Sequence, residues 1–174
     1  MITREIPIPE GVEARLEGRK ITVKGPKGEV SRELFHRKVD IELKDDRFVV
    51  STTGTHAGPH AMVGTFTAHI TNMVKGSTEG FHYILKMVQT HFPMTVKVKG
   101  KQVFVENLLG ERYPRRCNII GATKVNVKKD EVHVEGIDKE HVGQTAANIE
   151  RMSAWNNSRD KRVFQDGILI MKKG

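Results

Sequence analysis

Residues Val12–Glu29 read V-E-A-R-L-E-G-R-K-I-T-V-K-G-P-K-G-E, and a shift of 82 residues lays Met94–Glu111, M-T-V-K-V-K-G-K-Q-V-F-V-E-N-L-L-G-E, over them. Gly18 then falls on Gly100, Gly28 on Gly110, Glu29 on Glu111, and Ile21 and Val23 on Val103 and Val105. Each block reads as a hairpin. Gly18-Arg19 and Gly100-Lys101 mark tight turns, because glycine accepts the positive φ such turns demand. Gly25-Pro26-Lys27-Gly28 suits a type I turn, with proline at its second position and glycine at its fourth. A second match follows two residues further along in offset, where Ile41–Val50 lies on Val125–Val134. Both segments alternate apolar and polar residues, break at Asp46 or Asp130, and resume, which is a hairpin with one buried face. The chain is a duplication.

Beyond each pair of hairpins the apolar period changes from strand to helix. In the first copy Pro59 suits the first helical position, where its missing N–H is no loss. Met62, Phe66, Ile70, Met73 and Val74 then form one stripe. In the second copy Asp138 is a natural N-cap, and Val142, Ala146, Ile149 and Met152 repeat the stripe. Gly64 aligns with Gly143, an expectation of close packing between helix and sheet in both copies. Gly76-Ser77-Thr78-Glu79-Gly80 reads as a linker and Phe81–Val88 as the opening strand of the second copy. Strands, helix, strands, helix is the order of an α+β protein. The expected architecture is two tandem homologous domains, residues 1–80 and 81–174, each a mainly antiparallel β-sheet packed by one α-helix.

Of the 174 residues, 37% are apolar and 29% charged, so each half has a thin core that docking on a partner would help. Lys and Arg number 29 against 21 acidic residues, for a net charge of +8 and a pI near 9.7, the electrostatic footprint of a nucleic-acid binder. The excess is not shared. Residues 1–81 carry 12 basic and 11 acidic side chains, while residues 82–174 carry 17 and 10. Two basic groups stand out in the second half. One is Arg112-Tyr113-Pro114-Arg115-Arg116, read as a loop between strands. The other is a tail holding Arg151, Arg159, Lys161, Arg162, Lys172 and Lys173, interleaved with Trp155, Asn156 and Asn157. Arginine matches phosphate oxygens with a planar fork, and Trp or Tyr stacks on exposed bases. The competing reading is a solvated charged surface with Trp155 packed on its own helix.

Several function classes find no support. Cys117 is the single cysteine, which leaves no intrachain disulfide and no cysteine-based zinc site. The N-terminal residues do not form a signal peptide, and no apolar run approaches the ~18 residues of a membrane span, so cytoplasm is the expected compartment. His56 and His60 lie four apart, but Pro59 interrupts them and no local cysteine or carboxylate completes a metal site. Gly25-Pro26-Lys27-Gly28 is too short for a Walker loop, and Asp166-Gly167 reads as a turn, not a catalytic acid. No catalytic residue, cofactor or small-molecule substrate is expected.

The repeat, together with Arg159-Asp160-Lys161-Arg162-Val163-Phe164-Gln165-Asp166-Gly167-Ile168, resembles the L-six family of large-subunit ribosomal proteins. The likeness is to its archaeal and eukaryotic branch, whose C-terminal signature runs R-x-F-x-D-G and an aliphatic residue. Arg162, Phe164, Asp166, Gly167 and Ile168 match that signature, and the junction Thr78-Glu79-Gly80-Phe81 is also similar. Leu169 stands where the branch usually has Tyr or Phe. The resemblance implies a non-catalytic ribosomal component that binds large-subunit rRNA mainly through its second domain, near the translation-factor-binding region, among neighbouring ribosomal proteins. The RNA-binding candidates are then Arg112, Tyr113, Arg115, Arg116, Arg151, Trp155, Asn156, Asn157, Arg159, Lys161, Arg162, Lys172 and Lys173. The alternative is a protein-interaction module of a non-ribosomal complex, pairing through exposed sheet edges.

Overall fold

A computed structural model of the chain describes residues 2–44, 46–54, 56–153 and 166–173. Alternating sequence becomes strand throughout. In the first half these are β1 (Ile2–Pro7), β2 (Glu13–Glu17), β3 (Lys20–Gly25), β4 (Gly28–Glu33), β5 (Val39–Lys44) and β6 (Arg47–Thr52), followed by helix α1 (Ala57–Thr78). The second half repeats the order with β7 (Phe81–Val88), β8 (Thr95–Lys99), β9 (Gln102–Glu106), β10 (Arg115–Asn118), β11 (Lys124–Lys128), β12 (Glu131–Gly136) and α2 (Lys139–Ser153). It then adds β13 (Gly167–Lys172). The chain divides into two compact units, Met1–Gly80 and Phe81–Gly174.

Each unit holds two antiparallel sheets and one helix, so the fold is α+β. In the first unit the sheets run β2-β3-β4 and β1-β6-β5; in the second they run β10-β9-β8 and β11-β12-β7-β13. Alternation explains which residues enter the cores. Ile21 and Val23 of β3, and Phe48 and Val50 of β6, are fully buried, and so are their counterparts Val103 and Val105 of β9 and Val132 and Val134 of β12. Burying one such side chain contributes roughly 1.5–3 kcal/mol. Gly18 and Gly100 both adopt left-handed φ, +62° and +60°, in two-residue turns. A matching backbone bond follows each turn, Leu34 N–H to Arg19 O at 2.9 Å and Ile119 N–H to Lys101 O at 2.8 Å. The duplication reaches the individual hydrogen bond.

The helices need more correction than the strands. The buried face of α1 is Pro59, Val63, Phe66, Ile70, Met73, Val74 and Ser77, centred on Val63, with Met62 only packed at its margin. Pro59 occupies the third helical residue, still inside the first turn where N–H groups have no helical acceptor. The segment Gly76–Thr78, read as linker, is the last turn of α1. Its residues are small because the β3–β4 hairpin lies directly against it. Lys27 N–H donates to Ser77 O at 3.0 Å, the Lys27 ammonium donates to Glu79 O, and a Cβ on Gly25 would sit 2.6 Å from Ser77 O. Gly80, at φ +72°, ends the helix. By contrast Gly64 and Gly143 are not sites of tight packing. A Cβ would meet Arg4 only at 4.0 Å from the first and Tyr83 at an ordinary 3.6 Å from the second.

In α2, Asp138 caps as expected, its Oδ1 accepting Glu140 N–H at 2.8 Å and its carbonyl accepting Val142 N–H at 3.0 Å. Val142, Ala146 and Ile149 are fully buried, and Met152 packs at the edge of the same core. The strand that distinguishes the two units is β13. It pairs with β7 from Gly167↔Val88 onward and turns a three-stranded sheet into a four-stranded one.

Candidate nucleic-acid interface

Asp166 organises one end of the second unit. Its side chain is 0% exposed. Its carboxylate accepts the backbone N–H groups of Thr90 at 2.6 Å, His91 at 2.9 Å and Phe92 at 3.1 Å, with the His91 Nδ1 at 3.3 Å. Burial alone would raise this carboxyl, but the three N–H groups and the imidazole outweigh it and hold it at about 2. The loop between β7 and β8 is thereby wrapped around one buried charge. Gln89 Oε1 closes it by accepting Met94 N–H at 3.0 Å.

The wrapped loop leaves its side chains outside. His91 is 61% exposed and Phe92 48%. Beside it runs a turn with unusual backbone: Asn107 and Leu109 hold left-handed φ of 58° and 51°, and Gly110 follows at 77°. A leucine in that region stores roughly 1–3 kcal/mol, which the surroundings must supply. Two contacts do so. Asn107 Nδ2 donates to Pro93 O at 2.8 Å, and the Phe92 ring approaches Gly110, where a Cβ would stand 3.8 Å away. This turn leads into Arg112 and Tyr113, the latter 78% exposed. An aromatic and basic surface is therefore built on fixed backbone.

The predicted basic loop is shorter than Arg112–Arg116. Arg115 and Arg116 open β10, because they pair with Val105 and Phe104 of β9. Their roles diverge with the strand alternation. Arg116 faces solvent, whereas Arg115 turns inward. The Arg115 guanidinium grips both oxygens of Glu111, Nε to Oε2 at 2.7 Å, and donates through Nη1 to Met152 O at 2.9 Å. The ion pair holds the Glu111 carboxyl below its usual range and raises Arg115. Arg115 is thus a strut between the loop and the last turn of α2.

That strut brings the loop next to the start of the basic tail. Arg151 is exposed in the final turn of α2. One residue beyond Met152, buried Ser153 accepts Ile168 N–H at 2.8 Å, and Glu150 Oε1 accepts Ile170 N–H at 3.3 Å. Ser153 and Asp166, the last described residue before position 154 and the first after position 165, are therefore each held by hydrogen bonds. Trp155, Asn156, Asn157, Arg159, Lys161 and Arg162, with Phe164 of the signature, lie outside the described residues. Lys172 and Lys173 are exposed at the end of β13 and just beyond.

Sequence reasoning missed His91, Phe92 and Asn107. The available signal was a polar segment, Gln89-Thr90-His91, ending in an aromatic before Pro93, between two strands. From sequence Asp166 reads only as a turn residue, since its partners lie some 75 residues away. Among the described residues no group of three His, Cys, Asp or Glu could hold a metal ion. His60 Nε2 instead lies 2.8 Å from Gly54 O. No helix of the described residues is long and apolar enough to cross a membrane.

Known proteins match the chain along its length. The model of the family described as ribosomal protein L6 matches residues 8–80 and 92–167, one segment in each unit. The large ribosomal subunit protein uL6 of Methanobrevibacter smithii is 49% identical over 99% of this chain and 96% of its own length. That of Methanothrix thermoacetophila is 45% identical over 99% and 97%, and that of Sulfurisphaera tokodaii 48% over 97% and 91%. With both units matched and relatives aligned almost end to end, the chain belongs to the ribosomal protein L6 family.

Proposed function

We propose that this chain is a structural constituent of the large ribosomal subunit, without catalytic activity, that binds large-subunit rRNA mainly through its second unit. Neighbouring large-subunit proteins are its other partners, and the factor-binding region is its location. The first part rests on the relatives, each named as a large-subunit protein. The location rests on family resemblance alone. The assignment to the second unit rests on one observation. Arg112, Tyr113, Arg116, His91 and Phe92 are exposed on elements whose backbone is held by Asp166, Asn107 and Arg115, in the half of the chain that carries the charge excess. A-form RNA hides its base edges in a deep groove, so cationic and aromatic side chains on rigid loops meet backbone, 2′-hydroxyls and unstacked bases. The tail residues Arg159, Lys161 and Arg162 extend this proposal from sequence.

The test is binding to deproteinised large-subunit rRNA of Methanobrevibacter smithii over a salt series. Each phosphate contact contributes about 0.7–0.9 to the log–log slope. Removal of residues 151–174 is a poor perturbation, since it also removes β13, Asp166 and the Ser153 clamp. Substituting Arg112, Arg116, Arg159, Lys161 and Arg162 by glutamine leaves those intact. The variant is expected to bind with a slope shallower by about 3.5–4.5 if all five meet phosphates. An unchanged slope would remove this surface from the interface. Absence of the protein from salt-washed large subunits would overturn the ribosomal assignment itself.

A further inference from the structure

The outer face of the four-stranded sheet β11-β12-β7-β13 takes no part in the core, and pairing register fixes what stands on it. Val132 and Val134 are fully buried, so Glu131, His133 and Glu135 point the other way. Register then lines up Lys128, Glu131, Lys86 and Leu169 in one row, Asn126, His133, Ile84 and, past a bulge in β13, Lys172 in the next, and Lys124, Glu135 and His82 in the third. Lys86, Lys124, Lys128 and Lys172 are all exposed.

The two acidic side chains on this face are already engaged. His82 and His133 stack with ring centroids 5.1 Å apart and planes 11° from parallel, and His82 Nε2 lies 2.9 Å from His133 Nδ1. The remaining nitrogen, His133 Nε2, is 3.2 Å from Glu131, and His82 Nε2 is 3.6 Å from Glu135. His82 Nε2 with His133 Nδ1, and His133 Nε2 with Glu131, form one run of polar contacts across the face, with Glu135 beside His82. The imidazoles thus occupy the centre of the sheet and hold the carboxylates beside them. Among the described residues none of the four lysines lies in an ion pair within 4 Å, although register sets Lys128 and Lys86 across from Glu131 and Lys124 across from Glu135, so four cations stand around two carboxylates.

We infer that this sheet face is a second RNA-contacting surface of the unit, in which Lys86, Lys124, Lys128 and Lys172 meet phosphates around the His82–His133 pair. It rests on the rRNA-binding reading and extends it to a face that Arg112 and Tyr113 do not occupy. Charge complementarity selects the occupant. A polyanion satisfies four lysines at once, while an apolar protein surface would strand them.

The test again uses the full chain and the same rRNA. Lys86→Gln, Lys124→Gln and Lys128→Gln together are expected to make the salt slope shallower by about 2–3 and to weaken binding near 0.1 M salt on the order of a hundredfold. Thermal unfolding should stay at the wild-type midpoint. The opposite perturbation guards against damage to the fold: Glu131→Gln with Glu135→Gln should tighten binding several-fold, which a misfolded protein cannot do. If wild type shows a steep slope and both variants match it, this face is not an RNA surface, although the rRNA reading stands. If wild type itself shows no salt-dependent binding, the broader reading fails first. If the lysine variant binds rRNA normally but loses a neighbouring protein in reconstituted subunits, the occupant is a protein and the inference is wrong.

Discussion

Replacing Asp166 with asparagine keeps the shape of the side chain and removes its charge from beneath three backbone N–H groups. A carboxyl moved from an ordinary 3.8 to about 2 corresponds to roughly 2 kcal/mol of preference for the ionised form in the folded protein. Asparagine forfeits that and also turns an NH2 toward amides that themselves donate, leaving at least one N–H unpaired at roughly 1–3 kcal/mol. The expected loss at neutral pH is therefore about 3–5 kcal/mol, a large share of the stability of a small unit. Because the folded-state carboxyl is depressed, its contribution is fully present above pH 3.8 and fades as pH falls through about 2. Urea unfolding of wild type and Asp166→Asn at several pH values from 5 to 2 measures this as a difference between two proteins, which cancels the other carboxylates. The difference should shrink by roughly 2 kcal/mol across that window. Amide exchange at Thr90, His91 and Phe92 gives the local readout, with protection lost in the variant. A constant difference from pH 5 to pH 2, or three amides as protected as before, would refute the reasoning.

Gly25→Ala places a methyl 2.6 Å from Ser77 O and should destabilise the first unit by about 1–3 kcal/mol in denaturant unfolding, whereas Gly58→Ala, with open space around it, should be neutral or slightly stabilising. Arg115→Lys keeps the charge but loses the fork that spans Glu111 and Met152 O; a fall in midpoint equal to that of Arg115→Ala, with about 1–3 kcal/mol lost in each, is expected, and full rescue by lysine would show that charge alone matters. Burial pushes the Cys117 thiol up to about 11, so it is protonated at neutral pH. Iodoacetamide should label it slowly in the folded protein and readily in urea, and equal rates would contradict its placement.

The hairpins were legible because alternation is local. Val12–Glu29 and Ile41–Val50 declare their buried faces within a few residues, and their second copies confirm the reading. The end of α1 was not. Gly76 and Ser77 look like linker residues, but they are small so that the β3–β4 hairpin can touch the helix, a contact between segments some 50 residues apart. The basic character of the second unit was legible from counting. The division of labour inside it was not, because Arg112, Arg115 and Arg116 are alike as letters. Only pairing with β9 turns Arg115 inward to Glu111 and leaves Arg116 outside. The Asp166 loop was the least legible feature, because carboxylate and amides meet only through β13 lying on β7.

β13 has a temporal consequence. The first unit contains every strand of both its sheets by residue 52 and its helix by residue 78, so a chain emerging from a translating ribosome can fold that half while the rest is still being made. The second unit cannot do the same. Its opening strand, β7, waits for a neighbour synthesised about 80 residues later, and the 89–93 loop waits with it for Asp166. The surface proposed to meet RNA is therefore completed only after β13 has been made.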